Sequence, residues 1–133
     1  MKKTISIFLI VLCAVVLLFA ALFMFDLIRL IDLHIPAEVS SVHVTDTLHT
    51  GETLEITDAE TLRGISDLVE ELKPAIGIRS NQNGSQYHIR FCDTKGASIL
   101  ELTVVSESQL QLDGYFINTD TTSLIARLDA LFY

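Results

Sequence analysis

His34, His43, His49, His88 and Cys92 are the residues whose types could do chemistry outside the apolar N-terminal stretch. A zinc site needs three or four such donors, usually announced by a pair of histidines or cysteines a few positions apart. No pair here has a spacing such as H-x-x-x-H, and no second cysteine lies near Cys92. His43 and His49 would approach each other only across a hairpin. Cys92 and His88 suggest a nucleophile and its base on one face of one strand. Four residues of strand separate them, which is about 13 Å. That is too far for the hydrogen bond that activates a thiol.

The carboxylates read in the same way. Asp58, Glu60, Asp67, Glu70 and Glu71 make an acidic helix surface. Glu60 and Asp67 are two turns apart, whereas a paired-carboxylate hydrolase needs two groups converging in a cleft. Asp93-Thr94-Lys95-Gly96 lacks the alternating acidic ligands of a calcium loop. The chain contains no G-x-G-x-x-G, P-loop or G-x-S-x-G. These exclusions lead to the expectation of a protein without catalysis, with no metal, no cofactor and no small-molecule substrate.

Binding remains as the role for polar side chains. Residues 86–92 alternate, with Tyr87, Ile89 and Phe91 on one face and His88, Arg90 and Cys92 on the other. The following strand, 98–105, adds Ile99, Glu101, Thr103 and Val105 to that second face, with Leu100, Leu102 and Val104 on the first. His88, Arg90, Glu101 and Thr103 are therefore the candidate binding residues. Ile99 and Val105 are apolar where a solvated face calls for polar residues. Such a mixed surface suits docking of another protein or of an envelope component.

These residues need a sheet to hold them. Residues 40–46 and 53–57 alternate as strands around a turn at Leu48-His49-Thr50-Gly51. Thr57-Asp58-Ala59-Glu60 reads as a capping box opening a helix whose apolar stripe is Leu62, Ile65, Leu68, Val69 and Leu72. Its end is expected near Lys73-Pro74. Ile76 and Ile78 suggest a short strand, and 80–85 a polar loop. Asp93-Thr94-Lys95-Gly96 and Asp113-Gly114 are hairpin turns, so residues 86–118 form a meander. Leu124, Ile125, Leu128, Leu131 and Phe132 then mark a last helix. The expected fold is α+β: an antiparallel sheet with both helices packed on one face.

Residues 5–25 carry no charge, and 15 of these 21 are Leu, Ile, Val or Phe. As a helix they cover roughly 31 Å, enough to span a bilayer. A cleaved signal peptide has a shorter apolar region and a small-x-small site. The sequence around Ala20-Ala21 offers no such site, so an uncleaved single-pass anchor is expected. Lys2 and Lys3 against Arg29 place the N-terminus in the cytoplasm and the rest outside. The stripe of Leu27, Ile28, Leu30, Ile31 and Leu33 extends the helix as a stalk towards Ile35-Pro36, where the residue before proline disfavours helix. The organisation is then 1–36 for tip, span and stalk, and 37–133 for one domain.

That domain holds six Lys or Arg and fifteen Asp or Glu, a net charge of −9. Such acidity repels nucleic acid and favours a basic partner. An acidic immunity or inhibitor protein, acting against a basic toxin or hydrolase, is the alternative to a general binding module.

The anchor, the stretch Tyr87-His88-Ile89-Arg90-Phe91-Cys92-Asp93-Thr94-Lys95-Gly96 and the later Asp113-Gly114-Tyr115-Phe116 together resemble small uncharacterised membrane-anchored proteins of Gram-positive bacteria. The resemblance is one of fold. It implies no activity and carries over no functional residue.

Overall fold

The computed structural model describes residues 2–31, 33–75 and 85–133. The expected strand at Ile76 and Ile78 and most of the polar loop before Ser85 lie outside the described residues. An N-terminal helix, α1 (Lys2–Ile31), precedes a six-stranded antiparallel sheet and two further helices. The elements after α1 are β1 (Ser41–Asp46), β2 (Thr53–Ile56), α2 (Ala59–Glu70), β3 (Tyr87–Cys92), β4 (Ser98–Ser106), β5 (Gln109–Leu112), β6 (Tyr115–Asn118) and α3 (Thr122–Phe132). The α+β expectation holds.

Within Lys2–Phe25 of α1 an 18-residue window reaches a mean hydropathy of 3.3 and is not buried against the rest of the chain. By length and composition this segment meets the requirement for a membrane span, as a signal sequence also does.

The sheet order is β2-β1-β3-β4-β5-β6, with every neighbouring pair antiparallel. β1 has β2 on one side and β3 on the other, so α2 carries the chain across β1. Alternation decides which face is buried. Val42, Val44, Tyr87, Ile89, Phe91, Leu102, Val104, Leu110 and Ile117 are each 2 % exposed or less and form one core with the helices. α2 contributes Ile65 and Val69, and α3 contributes Leu124, Ile125 and Leu128. A buried branched side chain of this size is worth roughly 1.5–3 kcal/mol against exposure.

An aspartate side chain meets the first turn of α2 and of α3, although the N-cap of α3 itself is Thr121. Asp58 is the N-cap of α2, and its Oδ2 accepts the Thr61 N–H at 2.9 Å. Asp120 accepts the N–H of Thr122 at 3.0 Å and its hydroxyl at 2.6 Å. These bonds satisfy backbone donors that a helix start leaves open. α2 ends at Glu70, before the expected Lys73-Pro74. The Leu72 N–H turns back to the Val69 carbonyl, which leaves 72–75 free to run beside β6, where Pro74 bridges Thr119 and the Ala75 N–H meets the Asn118 carbonyl at 2.8 Å.

Asp113 and Gly114 both have positive φ, 51° and 80°. That is the turn which matches the twist of two strands joined by two residues.

The domain core begins before residue 37. Leu33 is only 7 % exposed and belongs to the core cluster, with Ile35 packed against it. The Ile35 N–H donates to Glu70 Oε1 at 2.8 Å. The chain is non-helical from Leu33, so the helix stops short of the expected Ile35-Pro36.

Candidate functional site

The helices cover one face of the sheet and leave the other open to solvent along its middle. Strand registers arrange that open face in two rows. One row reads Glu55, His43, Arg90, Glu101 across β2, β1, β3 and β4. The next reads Thr53, Thr45, His88, Thr103, Gln111, Phe116 from β2 to β6. The four candidate residues therefore form two adjacent cross-strand pairs, His88 with Thr103 and Arg90 with Glu101.

Local contacts fix some of these side chains and leave others available. His88 Nδ1 lies 3.1 Å from Thr103 Oγ1. The hydroxyls of Thr45 and Thr53 meet at 2.8 Å. Ser98 Oγ donates to Glu101 Oε1 at 3.1 Å. Arg90 is half-buried, and among the described residues it makes no ion pair. Its five donors stand at the centre of the face, flanked by His43 and Glu101. A shallow polar concavity of about 260 Å³ opens beside them, lined by His88, Glu101, Thr103 and Gln111 with the Asp113-Gly114 turn as its rim. Its chemistry is hydrogen bonding and charge pairing with a surface laid across the strands.

The two apolar outliers have a structural reason. Phe91 pairs with Leu100 and Cys92 with Ser98, so Ile99 is an extra residue in β4. Val104 pairs with Leu110 and Ser106 with Gln109, so Val105 is a second extra residue. Each sits in a β-bulge, where side chains leave the two-fold alternation. Val105 is buried at 7 % exposure, whereas Ile99 is 37 % exposed. Cys92, placed on the open face by alternation alone, is fully buried at the first bulge, and its Sγ lies 4.0 Å from the Arg90 carbonyl. It offers no accessible thiol to the open face.

His43 and His49 are not brought together. His43 stands opposite Glu55 and Arg90, while His49 packs edge-on against the Tyr133 ring, centroids 5.9 Å apart. Among the described residues, no group of three His, Cys, Asp or Glu side chains is placed to hold a metal ion.

A polar cluster that the sequence reading missed lies where the first hairpin turn meets the end of α3. Asp46 is buried at the end of β1. Its carboxylate accepts the Tyr133 hydroxyl, the His49 N–H at 3.1 Å and the Thr50 hydroxyl at 3.4 Å. Chiefly through the Tyr133 bond, against the effect of burial, its carboxyl is held below the ordinary 3.8. Tyr133 is pushed up to about 12, with Asp46 as the main cause. Beside it Tyr87 donates its hydroxyl to Asp129, and its ring packs on Phe132 at 5.7 Å. Burial first and Asp129 second raise the Tyr87 hydroxyl well above its usual value. The bonds are structural in character: each donor and acceptor is matched within the fold.

Comparison with known proteins finds no matching family model, no similar curated protein and no similar solved structure.

Proposed function

We propose that this chain is a single-pass membrane protein whose folded domain lies outside the cytoplasm and docks a protein or another envelope component without catalysis. The observation that carries the reading is the open sheet face. Arg90 and Glu101 stand opposite each other at its centre, with His88 and Thr103 as the neighbouring pair. An array of half-exposed donors and acceptors on a rigid sheet suits recognition of a complementary surface. The apolar α1 supports the membrane part of the reading, and Lys2 and Lys3 support the orientation.

The net charge of −9 over residues 37–133 favours a basic partner, which is the setting of the immunity or inhibitor reading. In that case binding is tight and falls steeply with salt.

The test uses the full-length chain in its native membrane. Reversing both central charges, Arg90→Glu with Glu101→Lys, should abolish co-purification of a partner while the domain keeps its circular dichroism and unfolding midpoint. Retention of the partner by the folded double variant contradicts the open face as the site.

A further inference from the structure

We propose that the groove between the end of α1 and the end of α2 holds a zwitterionic phospholipid drawn from the surrounding bilayer. The proposal rests on the reading of α1 as a membrane span. The groove has a volume of about 520 Å³ and is lined by Phe23 and Leu27 on α1 and by Leu72, Lys73 and Pro74 after α2, with Glu70 and Glu71 at its rim. This is the size of a small-molecule site, which spans roughly 300–1,000 Å³, and its walls are mostly apolar.

Position decides the occupant. The apolar span ends at Phe25. Phe23 lies about 3 Å inside that end and Leu27 about 3 Å beyond it along the helix axis. The groove therefore straddles the level where acyl chains meet headgroups. The domain is held at that level by its own contacts. Phe25 packs edge-on against Tyr115 of β6, centroids 6.0 Å apart. Leu33 is buried in the core, and Ile35 is bonded to Glu70. These ties hold the domain against the end of the span, and Tyr115 sits where interfacial tyrosines belong. An apolar slot opening at that depth is continuous with the lipid phase.

Charge decides the headgroup. Glu70 accepts the Ile35 N–H with one oxygen and keeps its charge, so the rim carries two carboxylates, Glu70 and Glu71, and one ammonium, Lys73, all three exposed. Two carboxylates beside one ammonium complement a headgroup whose amine meets Glu70 and Glu71 while its phosphate meets Lys73. An anionic headgroup would meet Glu71 without an amine to offset it.

The chain has no tryptophan, so a single introduced tryptophan reports its own surroundings. Full-length variants are reconstituted in vesicles of equal parts phosphatidylethanolamine and phosphatidylglycerol. Bromine quencher is placed on the acyl chains of one lipid or the other. Val15→Trp, in mid-span, should be quenched equally by both. Leu72→Trp should be quenched several-fold more by the brominated ethanolamine lipid, and Glu70→Gln, Glu71→Gln and Lys73→Gln together should erase that preference. Pro74→Trp, on the same wall, replaces Leu72→Trp if the latter fails to fold. Quenching at Val15 but not at the domain wall overturns the groove as a lipid site. Equal quenching of the wall by both lipids overturns the headgroup assignment. No quenching at Val15 overturns the span itself, a separate failure from that of the groove.

Discussion

Tyr133 donates its hydroxyl to Asp46, joining the end of α3 to the end of β1 across 87 positions of sequence. The bond closes the side of the molecule where the first hairpin turns, because the same carboxylate also takes the His49 N–H and the Thr50 hydroxyl. One buried acceptor thus fixes the turn and pins the terminal helix.

Stability should fall in acid for this reason. Asp46, Asp58 and Asp120 all have carboxyls held below 3.8, through Tyr133, Thr61 and Thr122 respectively as the leading causes. A depressed carboxyl stabilises the fold above its unfolded value and loses that contribution as pH falls through its folded one. The unfolding midpoint should therefore drop as pH falls below about 4. Tyr133, raised to about 12, has the opposite sense: its contribution is complete below the ordinary value of 10.0 and is lost as pH climbs towards 12. Thermal unfolding across the pH range should show both limbs, and Tyr133→Phe should lower the midpoint at neutral pH and shrink both.

Tyr87→Phe should cost about 1.5–3 kcal/mol, the worth of one hydrogen bond to a charged group. The ring stays packed on Phe132, and the released Asp129 side chain is at the surface and turns to water. Denaturant unfolding measures the difference; a loss far above this range would show that the ring itself has moved.

Much of the architecture was legible because its signals are local. The Asp113-Gly114 turn, the Asp58 cap and the alternation from Tyr87 to Phe91 each act within a few residues, and each predicted its element. That His88, Arg90, Glu101 and Thr103 share a face followed from alternation in the two strands, whereas their pairing depends on the bulge at Ile99. What escaped was non-local. The bonds from Tyr87 to Asp129 and from Tyr133 to Asp46 join residues 42 and 87 positions apart, and no spacing announces them. The bulges at Ile99 and Val105 broke the alternation that had set Cys92 and Val105 on the open face. Leu33 read as part of a helical stripe, and only the tertiary fold shows that it enters the core.

Leu33→Ala should therefore destabilise the folded domain by about 2–5 kcal/mol, as for other buried leucines. Measured on the full-length chain in micelles, a change below about 0.5 kcal/mol, the usual range for surface substitutions, would place Leu33 outside the core.

Gly64→Ala has a sign that the geometry decides. A Cβ at Gly64 would lie 2.9 Å from Arg127 Nη2. Arg127 is exposed and its tip is free to yield, whereas alanine gains up to about 1 kcal/mol over glycine inside a helix. The variant should be as stable as the parent or more so by up to about 1 kcal/mol. Clear destabilisation would mean that Arg127 is held where it lies.

The most direct test of the central claim, that the open sheet face docks a partner, is site-specific photocrosslinking in the native membrane. A photoreactive residue replaces Gln111 on the open face or Ser123 on the exposed side of α3. The account predicts a discrete adduct from Gln111, lost when Arg90→Glu is added, and none from Ser123. Adducts of equal yield from both positions, or from Ser123 alone, would contradict it.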